Sequence, residues 1–153
     1  MNFVTFLREY RGIDAQLEDR YGNWLGYEIG EVSVDNGAVV THLTIRDDHL
    51  SPSGAVHGGV VSGFLDFSCG AAVFSVLPQG HLCSTVELQV KYFKPLKSGD
   101  RIQAQAEVVH QGKKLCSVIA RVVSDDSEDE QPVAMATATF NVYPLRRSNQ
   151  KEA

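Results

Sequence analysis

An eighteen-residue segment, Val60–Leu77, limits the possible folds of this chain most strongly. Apolar side chains occupy nearly every side of a helix built on it, and Pro78 ends it. A helix that is apolar all round has to be enclosed by other elements. The segment also holds Asp66, three serines and two glycines, which argues against a role in crossing a membrane. We therefore predict a buried helix at the centre of a globular domain.

Alternating segments on both sides of this helix predict strands. Residues 28–34 and 38–46 precede it, joined by Asp35-Asn36-Gly37, a hairpin signal because asparagine and glycine tolerate positive φ. In the second of these strands Val39, Thr41, Leu43 and Ile45 share one face. Four more strands are predicted at 84–94, 101–110, 115–123 and 133–142.

The N-terminal residues 2–20 have helical periodicity and predict a short amphipathic helix, with Phe3, Phe6, Leu7 and Tyr10 on one side. The resulting order is helix, two strands, one buried helix and four strands. This order predicts an α+β fold in which a six-stranded antiparallel sheet wraps around the central helix. One domain would span residues 1–153, with a polar tail from about residue 146.

The cysteines and histidines do not form a metal-binding or disulfide pattern. Cys69, Cys83 and Cys116 are widely spaced and form no CxxC pair, which fits reduced thiols and a cytoplasmic location. The histidines lack metal-ligand spacing, and we expect no metal and no cofactor. Cys69 has no visible histidine base, so we interpret it as a small core residue.

The net charge of −5 argues against a general nucleic-acid binder. The distribution of the charges along the chain is more informative about ligands. Five acids between Asp125 and Glu130 are typical of a solvated hairpin tip. The segment Lys91–Lys114 carries six bases and two acids. Such a surplus would attract a phosphorylated ligand, and Lys94, Lys113 and Lys114 are candidate contacts, with Arg146 and Arg147 beyond them. The alternative is ordinary surface lysines.

Asp66 is the only ionisable carboxylate in the predicted buried helix. An ionised carboxylate in apolar surroundings costs several kcal/mol unless it is paired or hydrogen-bonded. A functional role would explain why the chain carries it. A carboxylate that faces a wet groove, or bonds the backbone of a neighbouring chain, would explain it equally well.

Gly58 and Gly59 open the same helix, directly after His57. The first helical turn leaves backbone N–H groups unpaired and carries partial positive charge. Glycine there lets a ligand oxygen approach the backbone, so that a developing oxyanion is stabilised. A tight turn that feeds a closely packed helix is the alternative explanation.

The spacing of Gly58 and Asp66 has a consequence for assembly. Eight residues of helix span about 12 Å. Both groups have to approach the same substrate atoms, which one chain cannot achieve. If they form one site, it lies between two copies of the chain, and a symmetric homodimer carries two such sites. The small residues Ser62, Gly63 and Gly70 would let the two helices lie close together.

The motif His57-Gly58-Gly59-x6-Asp66-x5-Ala72, with DDHLSPSGAV before it and TVELQVKYFKPLKSGD after it, resembles the hotdog-fold acyl-CoA thioesterases of the phenylacetic-acid-degradation (PaaI) type. The resemblance runs from about Trp24 to Tyr143 and includes LGYEIGEV, GKKL and PVAMATATF. It implies a hotdog fold and hydrolysis of an acyl-CoA to the free acid and coenzyme A.

The resemblance also implies roles for individual residues. Gly58 would polarise the thioester carbonyl through its N–H, with His57 supporting that region and Gly59 beside it. Asp66, supplied by the partner subunit, would be general base or nucleophile. Thr85 falls where the family has a serine or threonine that positions water. Ser51 stands where relatives usually carry an asparagine, and offers one hydroxyl in place of the amide.

Two questions stay open at this stage. Thr85 is out of phase with Val86, Leu88, Val90 and Tyr92, the apolar face of its strand, so Ser84 is an alternative. Five aromatic side chains would either line an aryl pocket or fill the core, which we favour: Phe64, Phe67, Phe74, Tyr92 and Phe93.

The sequence therefore predicts an acyl-CoA thioesterase that is at least dimeric, with a tetramer left open, and without nucleic-acid or membrane partners. A non-catalytic acyl-CoA binding module is one alternative, although it would gain nothing from Asp66. A hotdog hydratase-dehydratase is the other, and would be expected to carry a different histidine–carboxylate arrangement.

Overall fold

The computed structural model describes residues 1–11, 18–125 and 131–145. Its helices are α1 (Phe3–Arg11), α2 (Arg20–Leu25) and α3 (Gly58–Val76), with a 3₁₀ turn at Asp47–His49. Its strands are β1 (Glu28–Ser33), β2 (Ala38–Thr44), β3 (His81–Tyr92), β4 (Arg101–Gln111), β5 (Leu115–Ser124) and β6 (Ala134–Pro144). The predicted order of elements is confirmed, with α2 and the 3₁₀ turn added. The predicted polar tail and residues 126–130 of the acidic run lie outside the described residues.

The six strands form one antiparallel sheet in the order β1-β2-β4-β5-β6-β3, and α3 packs against its inner face. The α+β fold with a sheet wrapped around a central helix is thus confirmed. The predicted inner face of β2 is also confirmed, because Val39, Thr41, Leu43 and the adjoining Ile45 are all buried. Thr41 is tied to the helix through a 2.6 Å hydrogen bond between its hydroxyl and that of Ser68.

Helix α3 is enclosed less completely than its sequence predicts. Eleven of its nineteen residues are buried, but one stripe along its length remains accessible: Gly59, Ser62, Gly63, Asp66 and Gly70. These positions recur at helical spacing and carry small or charged side chains, so the helix has little apolar area to bury there. By length and composition α3 could cross a membrane, with a mean hydropathy of 1.6, yet 61% of that stretch is buried inside the protein.

The predicted short N-terminal helix is confirmed as α1, but its predicted extent to residue 20 is wrong. Helix α1 ends at Arg11, and the separate α2 is capped by Asp19, whose Oδ1 accepts a 2.8 Å hydrogen bond from the Gly22 N–H. Gly26, at a φ of +77°, ends α2 in the left-handed conformation that favours glycine. Asp19 and Gly26 therefore mark α2 as a helix of its own.

The strand β3 forms an edge of the sheet, and no strand in the described ranges pairs with its outer side. It pairs inward with β6, where Thr85 lies opposite Phe140 and Glu87 lies opposite Thr139. Val86 is consequently an extra residue, a β-bulge. A bulge reverses the alternation of side chains between the two faces, so that positions of opposite parity lie on the same face before and after it.

Candidate active site

The start of α3 leaves one backbone donor available. His57 caps the helix, and its Nδ1 accepts a 2.9 Å hydrogen bond from the Gly59 N–H. The Val60 N–H donates to the His57 carbonyl over 2.9 Å. Among the described residues nothing accepts a hydrogen bond from the Gly58 N–H. Of the two glycines, Gly58 is therefore the one with a free first-turn donor, while His57 occupies that of Gly59.

A pocket of about 300 Å³ opens beside Gly58, with Tyr92, Phe93 and Lys94 in its lining. The Tyr92 hydroxyl donates to the Gly58 carbonyl over 3.2 Å, which fixes the end of β3 against the start of α3. Tyr92 and Phe93 are about half exposed, so the expectation that all five aromatic residues fill the core is wrong for these two. Phe64 and Phe74 are buried as expected.

The carboxylate of Asp66 lies two helical turns further along α3 and is half-buried. The Thr85 hydroxyl donates to Asp66 Oδ1 over 2.8 Å. The side chain faces the accessible stripe of α3, which matches the wet-groove explanation for a carboxylate in this helix. The bond with Thr85 adds a specific partner to that position.

The bulge at Val86 explains why Thr85 looks out of phase in the sequence. Thr85 faces α3 before the bulge, and Leu88 and Val90 pack against the core after it. Val86, at the bulge, is 61% exposed and leaves the predicted apolar face, whereas Tyr92 shares that face with Leu88 and Val90 and contacts α3 at its exposed end. Ser84 neighbours Thr85 and therefore points to the opposite face of the strand.

The remaining predicted site residues are distributed over both ends of α3. Lys94 lies at the Gly58 end, in the lining of the pocket there. Lys113 and Lys114 lie in the turn between β4 and β5, at the other end, where the Gln111 side chain donates to the Val76 carbonyl over 3.1 Å. Within one chain these two lysines therefore lie at the opposite end of α3 from Gly58.

Ser51 stays within its own loop. Its hydroxyl lies 2.7 Å from that of Ser53 and donates to the Ala55 carbonyl over 3.0 Å. The backbone, in contrast, links this loop to the helix start, since the His57 N–H donates to the His49 carbonyl over 2.9 Å. In one chain Ser51 therefore shapes the loop that leads into His57.

Cys69 lies on α3 one turn after Asp66 and is fully buried. Burial, with a smaller contribution from the charge of Asp66, raises the pKa of the Cys69 thiol to about 12. A thiol that remains protonated at neutral pH is a poor nucleophile, so the interpretation of Cys69 as a core residue is confirmed. Within residues 1–11, 18–125 and 131–145, no three His, Cys, Asp or Glu side chains are grouped to hold a metal ion.

The sequence did not reveal a second pocket, of about 380 Å³, between α2 and the start of α3. Tyr21 and Trp24 of α2 line it, together with His49, His57 and Gly59. The Trp24 and His49 rings meet edge to face, 5.3 Å between centroids, and burial is the main cause that lowers the pKa of His49. The N-cap Asp19 and the C-cap Gly26 are the sequence signals from which α2, and with it this side of the pocket, could have been predicted.

Comparison with known proteins shows that this chain is similar in sequence to thioesterases and putative esterases. Residues 53–131 match the family described as the Thioesterase superfamily. Acyl-coenzyme A thioesterase 13 from Homo sapiens is 29% identical over 84 residues, which cover 55% of this chain and 59% of that protein. The chain spans little more than half the length of the curated relatives that it matches.

Two crystal structures share the fold over most of the chain. A phenylacetic acid degradation-related protein from Ralstonia eutropha JMP134 superimposes with a TM-score of 0.75 at 29% identity, covering 89% of this chain and 98% of that one. A hypothetical thioesterase from Streptococcus pneumoniae TIGR4, determined with coenzyme A, gives 0.69 at 27% identity, covering 79% and 91%. The predicted hotdog fold and the resemblance to the phenylacetic-acid-degradation type are confirmed.

Proposed function

The chain belongs to the thioesterase superfamily, and we propose that it hydrolyses an acyl-CoA to a free carboxylic acid and coenzyme A. The observation that supports this most directly is the bond between Thr85 and Asp66, which orients a carboxylate at an open groove. The coenzyme A in the Streptococcus pneumoniae relative supports the choice of substrate class.

The proposed chemistry needs a donor for the carbonyl oxygen and a carboxylate for the attack. The Gly58 N–H polarises the thioester carbonyl, aided by the partial positive charge at the start of α3. Asp66 either removes a proton from water or attacks the carbonyl carbon itself, and both routes stay open. The thiolate of coenzyme A leaves readily, so the proposal requires no metal and no further cofactor.

We place this site between two chains. Gly58 and Asp66 of one helix are about 12 Å apart, too far to act on one carbonyl group. The outer edge of β3, with Val86 61% exposed, is a surface that a second copy could extend by strand pairing. Asp66 of the partner subunit would then serve Gly58 of this one. A homodimer is the minimum assembly, and a tetramer stays open.

Other parts of the proposal follow from charge and position. Lys94 belongs to the lining of the pocket beside Gly58 and would contact the phosphates of coenzyme A in this proposal. Lys113 and Lys114 would contribute only from another chain or to a remote part of the ligand. A cytoplasmic location and a single domain over 1–153 stay predictions from the sequence.

The test is release of free thiol from a panel of acyl-CoA substrates, with Asp66→Asn as the variant. We expect kcat to fall by about 10² or more, while calorimetry still detects acyl-CoA binding. Turnover near the wild-type rate by a folded Asp66→Asn protein contradicts the assignment of Asp66. Tight binding without any thiol release by the wild type supports the binding-module alternative instead.

A further inference from the structure

Tyr21 of α2 rests on the turn of α3 that carries Asp66. A methyl group at Gly63 would lie only 1.9 Å from the Tyr21 hydroxyl, so this approach requires glycine at that position. Gly63 precedes Asp66 by three residues, and side chains at that spacing are neighbours on a helix surface. The hydroxyl therefore lies beside Asp66, on the α2 side of the accessible stripe, whereas Thr85 contacts the carboxylate from β3.

The Tyr21 hydroxyl is available for a ligand. In the described part of the chain no group forms a hydrogen bond with it, and the side chain is 53% exposed. Burial and then the charge of Asp66 raise the pKa of Tyr21, so the hydroxyl stays protonated at neutral pH. A protonated phenol both donates and accepts hydrogen bonds.

Arg46 holds α2 in this position. Its guanidinium donates to the carbonyl of Leu25 over 3.2 Å and to that of Trp24, at the last turn of α2. Asp48 in turn accepts from the same guanidinium over 3.1 Å. The helix that carries Tyr21 is therefore bonded to the segment just before the loop that leads into α3.

We propose that Tyr21 holds the attacking water of the hydrolysis together with Asp66, an inference that rests on the proposed function. The water gives one hydrogen bond to the carboxylate and the other to the Tyr21 oxygen, which leaves a lone pair free for the carbonyl carbon. The water oxygen then bonds that carbon as Asp66 takes the proton. The C–S bond breaks, and the departing thiolate takes up the proton.

The first experiment removes the hydroxyl but keeps the ring. In Tyr21→Phe we expect kcat to fall about ten-fold, with KM for the acyl-CoA within about two-fold of wild type, because the water and not the substrate loses a contact. Tyr27→Phe is the matched control, since the Tyr27 hydroxyl bonds Asp19 over 2.6 Å and lies outside the site. It should lower the melting temperature and leave kcat unchanged.

The second experiment displaces the Tyr21 hydroxyl by adding a methyl group to the residue of α3 against which it lies. Gly63→Ala should lower kcat in the wild-type background. In Tyr21→Phe it should lower kcat by less than a further factor of about two, because both substitutions remove the same interaction of the Tyr21 hydroxyl. If the reductions in kcat caused by the two substitutions are independent and multiply, the proposal is overturned. A Tyr21→Phe protein with wild-type kcat overturns it as well.

The wild type and Asp66→Asn are assayed alongside. A wild type that releases no thiol overturns the proposed function and this inference with it. An active wild type, an inactive Asp66→Asn and a fully active Tyr21→Phe overturn only the role of Tyr21.

Discussion

Thr85 donates its hydroxyl hydrogen to Oδ1 of Asp66 over 2.8 Å and so binds one oxygen of the carboxylate. A hydrogen bond to a charged group contributes about 1.5–3 kcal/mol. If this bond orients Asp66 for reaction, its loss affects turnover more than substrate binding.

Replacing Thr85 tests this relationship. Thr85→Val keeps the shape of the side chain and removes the donor, so we expect kcat to fall by about ten-fold to a hundred-fold. Ser84→Ala is the comparison, because Ser84 points to the opposite face, and its kcat should stay within about two-fold of wild type. Steady-state kinetics on both variants measures the difference, and a larger loss in Ser84→Ala would move the role to that residue.

Gly58→Pro removes the free N–H at the start of α3 without an obvious structural penalty. Proline is favoured at the first position of a helix, and His57, at φ −68° and ψ 133°, already has the extended conformation that a following proline requires. We expect kcat to fall by about 10²–10³.

The matched control for that change is Gly58→Ala, which keeps the N–H. The atoms nearest to its added methyl would belong to the Tyr92 side chain, the first at 3.6 Å, an ordinary contact. Most of the activity should remain in this variant. Equal losses in the alanine and proline variants, with unchanged melting temperatures, would show that steric crowding and not the missing donor is responsible.

Mixed dimers test whether one site uses two chains. Gly58→Pro and Asp66→Asn are each nearly inactive as homodimers in this scheme. Refolding an equal mixture makes about half of the dimers mixed, each with one intact site of two, so about a quarter of wild-type activity should return. Both parents must keep the dimeric mass and melting temperature. Mixed dimers of proven composition that stay inactive would refute a site shared between chains.

The outer edge of β3 offers a test of the assembly itself. Val86→Lys places a charge on a side chain that is 61% exposed in one chain, so folding should be unaffected. Charged side chains on an edge strand disfavour strand pairing between copies. We expect sedimentation to show more monomer and activity to fall with it, whereas Val86→Thr should remain dimeric and active. A dimeric, active Val86→Lys protein would place the interface elsewhere.

Local sequence patterns were sufficient for much of the fold. Helix α3 was predicted from Gly58 to about Leu77 and ends at Val76, because apolar periodicity and Pro78 are properties of the chain itself. In the predicted hairpin turn only Gly37 adopts positive φ, at 61°, where a methyl group would lie 2.9 Å from Val76. Positive φ was therefore predicted correctly for Gly37, whereas Asn36 does not adopt it.

Features that depend on distant partners were not predictable in the same way. The phase of Thr85 follows from the bulge against β6, whose Phe140 and Thr139 lie more than fifty residues away in sequence. Helix α2 has only six residues and is held through Arg46, about twenty residues further on. Such short elements derive their stability from tertiary contacts, which composition and periodicity do not contain.

The bulge at Val86 supplies β3 with one residue whose removal would leave the pairing of the rest of the strand with β6 unchanged. Without Val86, Thr85 and Glu87 would still lie opposite the consecutive residues Phe140 and Thr139, and regular alternation would keep Thr85, Leu88 and Val90 on the inner face. Substitutions at Val86 would likewise leave the fold of one chain intact, since its side chain is 61% exposed. In natural variation or in engineering, β3 should therefore accept the loss of one residue at the bulge, whereas loss of Gln89 from the regularly paired part would turn either Leu88 or Val90 outward.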